Sequence, residues 1–138
     1  MQNDLTTETA RRTQLRAAAD AYFAGLARRA FDAIPYADDV VLRAPLAPGG
    51  VQAPLVGRQT LRRVWWAPME KALGEVEVLR HYFAEDLSGV CTAAIVAIAD
   101  SPIRLRVADR FTVDDRGRIV EQENHFDPRD VTNPGWRS

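Results

Sequence analysis

The feature that most constrains this chain is a change of period near Glu75. Apolar residues recur at helical spacing before it and alternate after it. Leu15, Ala19, Tyr22, Leu26 and Ala30 form one stripe of a long first helix, and Arg11, Arg12, Arg16, Arg28 and Arg29 fall mostly off it. Abundant alanine favours the same helix. A break around Pro35 leads to a short strand at Val40-Val41-Leu42 that ends before Pro45. Residues 44–57 carry Pro45, Pro48, Gly49, Gly50, Pro54 and Gly57, the composition of a loop. A second helix is expected from about Arg58, with Leu61, Val64 and Trp65 inward, a kink at Pro68 and a stop at Gly74. Beyond Glu75 four strands are expected, roughly 75–86, 89–99, 102–113 and 118–127. Their connectors are short enough for hairpins, so the sheet should be antiparallel. Helices first and a meander after predict an α+β fold.

A chain of 138 residues fits one domain, spanning 1–138. At that size about two-thirds of the unfolded surface can be buried without help from a disulfide or a metal. A net charge of -1 argues against nucleic acid or an anionic membrane as partner. The single cysteine, Cys91, cannot form an internal disulfide, which suits a reducing compartment. The first residues, Met1 to Leu5, show no signal peptide, and the longest apolar stretch, Val90 to Ala99, is too short to span a bilayer. A soluble, cytoplasmic protein is the expectation.

The third of the four strands carries the strongest chemical signal. Ile103, Leu105, Val107, Asp109, Phe111 and Val113 alternate onto one face, and Arg104, Arg106, Ala108, Arg110 and Thr112 onto the other. Asp109 is thus a carboxylate in the middle of an apolar face. It must find a donor or stay protonated, as a structural group or a functional one. If the Asp114–Gly117 loop leaves Val113 opposite Arg118, Asp109 faces Gln122, Val107 faces Asn124 and Leu105 faces Phe126. Outside, the same register pairs Arg110 with Glu121 and Arg104 with Asp127. Val120, Gln122, Asn124 and Phe126 would then be inward, with two amides beside Asp109 in an apolar wall. A few convergent polar groups in an apolar concavity make a small-molecule site, although amides can also simply satisfy one another. Tyr22 lies on the inward stripe of the first helix, as a core residue or as a donor into that site. Trp65 packs helix to sheet or lines the pocket mouth. His81 has no assignable face, and His125 alternates with Glu121 and Glu123 toward the outside. No spacing of ligands suggests a metal, and no glycine-rich loop suggests a phosphate-bearing cofactor.

Taken together these pieces resemble the nuclear transport factor 2-like superfamily, in its SnoaL-like and ketosteroid-isomerase-like branch, from about residue 10 to 130. The resemblance rests on Ala21-Tyr22-Phe23-Ala24-Gly25-Leu26, Phe31-Asp32-Ala33-Ile34, Ala37-Asp38-Asp39-Val40 and Val56-Gly57-Arg58-Gln59-Thr60-Leu61. It continues through Asp109-Arg110-Phe111, Gly117-Arg118-Ile119-Val120 and His125-Phe126-Asp127. It implies a curved antiparallel sheet wrapped round the N-terminal helices as a cone-shaped barrel with an apolar pocket. It also implies a homodimer through the outer sheet face, which would cover Cys91, Ala93, Ile95 and Ala97. In ketosteroid isomerase an aspartate base works with a tyrosine and a protonated aspartic acid. Tyr22 and Asp109 match the latter two, and the base position falls on Ala44. In SnoaL-like polyketide cyclases one aspartic acid is the acid/base, a role that suits Asp109. The His125-Phe126-Asp127 ending resembles limonene epoxide hydrolase, but the Arg-x-Asp partner expected on the Thr92–Ile98 strand is absent.

The expected function is that of an acid/base enzyme without metal or organic cofactor: an isomerase, cyclase, dehydratase or hydrolase for a small hydrophobic carbonyl or polycyclic molecule. Asp109 and Tyr22 would be catalytic, and Gln122, Asn124, Phe126, Phe111, Trp65 and Ala44 would bind substrate. The alternative is a non-catalytic small-molecule-binding or protein-interaction domain of the same fold. The loop from Ala44 to Val56 would form the pocket's lip.

Overall fold

The computed structural model describes residues 2–132. Helix α1 (Gln2–Arg28) comes first and ends at Arg29, whose positive φ of 54° turns the chain. Ala30 therefore leaves the helical stripe and sits half-buried beyond it. Six strands follow: β1 (Tyr36–Arg43), β2 (Leu55–Val56), β3 (Leu73–Phe83), β4 (Gly89–Ile98), β5 (Arg104–Val113) and β6 (Ile119–His125). They lie in one curved, unclosed sheet in the order β2-β1-β6-β5-β4-β3. The α+β class is as expected, and Asp109, Phe111 and Leu105 face the core.

The structure departs from the expectation at several places. The sheet is mixed, because β1 runs parallel to β6 while every other pair is antiparallel. The first strand begins four residues before Val40; a register shift between Tyr36 and Val41 breaks its alternation, so Tyr36 and Ala37 are both buried. The loop after it is partly regular, with a 3-10 turn at Gly50–Gln52 and β2 paired to β1. Finally, the second helix does not stop at a glycine.

That second helix is a continuous run of four pieces: an α-turn Arg58–Thr60, a π segment Leu61–Trp66, an α-turn Ala67–Met69 and a 3-10 turn Glu70–Ala72. In the π segment Leu61, Trp65 and Trp66 are all buried, and the two tryptophan rings lie 6.1 Å apart between centroids. Extension begins directly at Leu73. Gly74 is already inside β3, where an added Cβ would stand 2.8 Å from the Ala97 carbonyl oxygen.

The β5–β6 register also differs. Val113 pairs with Ile119, and a bulge then sets Thr112 against Glu121, Phe111 against Gln122 and Asp109 against Asn124. Two one-residue slips preserve the inward face of Gln122 and Asn124 while moving each along by one rung. Ile119 rather than Val120 is consequently the fully buried residue, and Arg110 pairs with Glu123 at 3.1 Å instead of Glu121. Asp127 meets Arg129 rather than Arg104.

Arg11 fixes α1 to the far end of the sheet. Its guanidinium donates to the Leu87 (2.9 Å), Val113 (2.6 Å) and Asp114 (2.8 Å) carbonyl oxygens, tying both hairpin loops to one helix. Gly89 governs the approach of β4 to β5. A Cβ there would lie 2.1 Å from the Phe111 backbone oxygen, and no side-chain motion can relieve that contact. Gly89→Ala should therefore destabilise the fold by about 2–4 kcal/mol. The check is the denaturant midpoint at constant slope; a loss under about 0.5 kcal/mol would show the strands are free to part there.

Candidate active site

Strict alternation in β5 turns Leu105, Val107, Asp109, Phe111 and Val113 inward and leaves Arg104, Arg106 and Arg110 in solvent. A cavity of about 530 Å³ opens above this face. Its walls are almost wholly apolar: Leu26 from α1, Trp65 and Met69 from the second helix, Val96 from β4 and Leu105 and Val107 from β5. Among the described residues three polar side chains enter it, those of Tyr22, Asp109 and Asn124. Of the residues expected to form the site, Asp109, Tyr22, Asn124, Phe126, Trp65 and Ala44 all line this cavity.

Gln122 and Phe111 do not, and the two-slip register explains why. Gln122 sits opposite Phe111, one rung deeper than Asp109, and is fully buried behind the pocket floor. Phe111 packs edge-on against Tyr22 at 5.1 Å and Phe23 at 6.2 Å between ring centroids. It supports the site without facing the cavity. Of the proposed lip, Ala44, Leu46, Ala47 and Pro48 reach the pocket. Further along, Arg43 of β1 donates to the Val51 carbonyl oxygen, and Leu55 and Val56 pair with Leu42 and Val41.

The electrostatics of the site follow from the burial of its polar groups. Asp109 is 2% exposed and accepts a hydrogen bond from Asn124 Nδ2. Burial pushes its carboxyl from 3.8 up to about 7, against the lowering influence of the Asn124 and Gln122 amides. Burial likewise raises the Tyr22 and Tyr36 phenols well above their ordinary value, and the Asp109 charge adds to both shifts. Tyr22 is thus a neutral hydroxyl donor. Its ring stacks on Trp65 at 6.4 Å, which fixes the phenol in the wall of the pocket.

Sequence reasoning missed Tyr36. Its hydroxyl donates to Gln122 Oε1 at 2.6 Å inside the core. That bond orients the amide, so that Gln122 Nε2 faces the Asp109 and Tyr22 side. The nitrogen reaches no partner in hydrogen-bond geometry, yet it lies near enough to favour the charged form of both groups. The irregularity in β1 hid this residue, because alternation counted back from Val40 carries no information across a register shift. His81, whose face could not be assigned, is inward: Nδ1 is 2.7 Å from Thr92 Oγ1 and Nε2 is 2.9 Å from Asp20 Oδ1. His125 is exposed on the outer face, as its alternation predicts. Among the described residues no three or more His, Cys, Asp or Glu side chains gather as metal ligands would. No helix among them is long and apolar enough to cross a membrane.

Residues 19–122 match the SnoaL-like domain. The chain belongs to that family. The matched span runs from just before Tyr22 to Gln122 and includes Asp109; Asn124 and Phe126 lie beyond it. No curated protein matches the chain. Among solved structures, this SnoaL-like domain is similar to an LEH-like epoxide hydrolase of Mycobacterium tuberculosis, with 25% identity, a TM-score of 0.66 and coverage of 91% of each chain. It is similar in fold to a steroid delta-isomerase from Pseudomonas aeruginosa, at 22% identity and TM-score 0.60, covering 83% of this chain and 80% of that one. A putative polyketide cyclase from Sinorhizobium meliloti shares the fold at 22% identity and TM-score 0.63, over 79% and 94% of the two chains. Its neighbours in the nuclear transport factor 2-like fold thus include isomerases, cyclases and epoxide hydrolase-like enzymes.

A raised carboxyl makes this domain's stability depend on pH in a defined direction. The folded state holds the Asp109 proton more tightly than the unfolded state does. Its contribution is therefore full below the unfolded value near 3.8 and is lost as pH rises toward about 7, at about 1.4 kcal/mol per pH unit across that window. Asp109→Asn, which keeps an acceptor for Asn124, should be more stable than the wild type at pH 8, by on the order of 1–4 kcal/mol. The advantage should shrink at pH 5. Denaturant unfolding of both proteins at the two pH values measures it, and a variant markedly weaker at pH 8 would mean that Asp109 is an ionised structural partner.

Proposed function

We propose that this SnoaL-like domain is a cofactor-independent acid/base enzyme for a small hydrophobic molecule carrying one reactive oxygen. The observation that supports it best is the placement of Asp109: a carboxyl raised to about 7, on the floor of an apolar cavity of about 530 Å³, beside a neutral tyrosine hydroxyl. A group with that affinity is protonated in a useful fraction at neutral pH and can still part with its proton. The apolar walls favour an uncharged ligand, since no lining residue among those described would compensate a carboxylate or phosphate.

The chemistry that fits is led by the acid. A substrate oxygen placed between Tyr22 and Asp109 receives two donors as negative charge develops on it, in a water-poor site where such donors count most. Asp109 gives up its proton, and the resulting carboxylate, held by Asn124 Nδ2, is the base that takes one back. One residue would then serve both halves of an isomerisation, cyclisation or dehydration. Ala44 offers only a methyl group where ketosteroid isomerase has its base, and Asp109 is the one carboxyl among the described lining residues. That combination disfavours a steroid-isomerase mechanism with a separate base.

Turnover of a panel of apolar ketones, enones and epoxides, followed by mass spectrometry and by proton exchange in heavy water, tests the reading. At least one class should react. Asp109→Asn should lower the rate by about 100-fold or more, and Tyr22→Phe by about 10- to 100-fold. The acid-dependent rate should decline above pH 7 as Asp109 loses its proton. Binding without reaction, or a rate indifferent to Asp109→Asn, would favour the non-catalytic ligand-binding alternative.

We also propose that two copies pair through the outer sheet face. Cys91, Ala93, Ile95 and Ala97 stay half-exposed there, and Tyr82 on β3, the partner of Cys91, is an exposed apolar residue beside them. Flanking Arg106, Arg110, Glu77 and Glu121 provide both signs of charge, which suits a self-complementary contact. Sedimentation at micromolar concentration should give a dimer, and a monomer would refute the pairing.

A further inference from the structure

Each of four adjacent strands gives one polar side chain to a single rung of the concave face. His81 pairs with Thr92, Thr92 with Asp109, and Asp109 with Asn124. On one side the next rung is Phe83, Val90, Phe111 and Gln122; on the other Ala94 pairs with Val107. The polar rung is thus bordered by mostly apolar ones. It also has a wet end and a dry end. Asp20 on α1 is 52% exposed, the His81 side chain 12%, Thr92 0% and Asp109 2%.

We propose that Asp20, His81 and Thr92 are positioning residues for Asp109, coupling the state of the His81 imidazole to the buried acid through one hydroxyl. This rests on the reading of Asp109 as the acid. A threonine hydroxyl has a single proton to donate, so it can serve only one neighbour at a time. Thr92 is shut off from water and stands between His81, 2.7 Å from its hydroxyl, and Asp109, its opposite residue on β5. Directly opposed side chains in an antiparallel pair sit about 5 Å apart at Cβ; here Thr92 bonds to His81 and Asp109 to Asn124, so the coupling acts when the hydroxyl turns from the one neighbour to the other.

Two arrangements follow. When His81 is neutral, Asp20 accepts the Nε2 proton, Nδ1 becomes an acceptor, and the Thr92 hydroxyl donates to it. The Thr92 oxygen then offers lone pairs to the β5 side, which favours a protonated Asp109. When His81 is protonated, both ring nitrogens donate and Thr92 must accept. Its own proton is then free to turn toward Asp109 and favours the carboxylate. Protonation of one group thus opposes protonation of the other, by a route that needs the hydroxyl. The other groups that sense the Asp109 charge are Tyr22 on α1, Tyr36 on β1 and Cys91 on β4. On the His81 side the charged neighbours are Asp20 and, over the ring of Phe83 two residues along, Arg12 and Arg16.

The test needs no substrate. The His81 ring resonances are followed by NMR as pH is varied in the wild type and in Asp109→Asn, Thr92→Val, Thr92→Ser and Asp20→Asn. In the wild type His81 should show a second inflection at the Asp109 midpoint, and Asp109→Asn should abolish it. Thr92→Val should abolish it too while leaving both titrating groups in place, and Thr92→Ser should restore it. Asp20→Asn, at a half-exposed position, should reduce it at least twofold. No inflection in the wild type, or one that persists in Thr92→Val, would overturn the proposal, the latter assigning the coupling to charge acting through space. Should Thr92→Val not fold, an inflection unchanged in Asp20→Asn overturns it equally. Failure here leaves the acid role of Asp109 standing, because that role is decided separately by turnover in Asp109→Asn.

Discussion

The burial of one carboxyl, that of Asp109, is the constraint on which the rest of this structure depends. Removing an ionised carboxylate from water costs far more than a small domain can spare, so the group must be neutral or well bonded. Here it is partly both. One amide, Asn124, donates to it; a second, Gln122, is held nearby by Tyr36; and desolvation still prevails, leaving the carboxyl near neutrality in its affinity for a proton. The surrounding aromatic packing has a clear purpose in this light. Tyr22, Phe23, Phe111 and Trp65 form a contiguous cluster that keeps water from the floor of the pocket.

The scaffold around that group is arranged so that its position is not negotiable. Asp109 lies near the middle of a ten-residue strand with partners on both sides, the most rigid kind of place a sheet provides. Arg11 ties α1 to the two hairpin loops, and the π segment turns two tryptophans toward the core from one helix. The side chains on the cavity's open side come instead from shorter connections, Ala44 to Pro48. A rigid floor bearing the polar groups and a lip built of small and apolar residues is an arrangement suited to enclosing a neutral ligand.

Much of this was legible in the sequence where local rules act alone. Strict alternation in 103–113 identified Asp109 as inward, and helical spacing did the same for Tyr22. The parity of β6 survived even though its register was wrong by two, because a hairpin slip and a bulge each shifted it by one residue. What escaped were the features set by strands far apart in the chain. The parallel β1–β6 pairing, the burial of Tyr36 and the bond from His81 to Asp20 are tertiary facts with no local signature. Residues 44–57 were also only half readable: prolines and glycines marked the turns correctly but concealed a two-residue strand that forms only because β1 presents an edge. The error on Gly74 has the same origin, since a glycine that permits close approach of Ala97 looks identical in sequence to one that ends a helix.

The central claim is that Asp109 is a neutral acid poised over an apolar pocket. Infrared difference spectroscopy of the wild type against Asp109→Asn at pH 6 addresses it directly. A carbonyl stretch of a protonated carboxylic acid should be present in the wild type, absent in the variant, and lost from the wild type as pH passes about 7. Only carboxylate bands at pH 6, with no protonated acid assignable to Asp109, would contradict the account at its root.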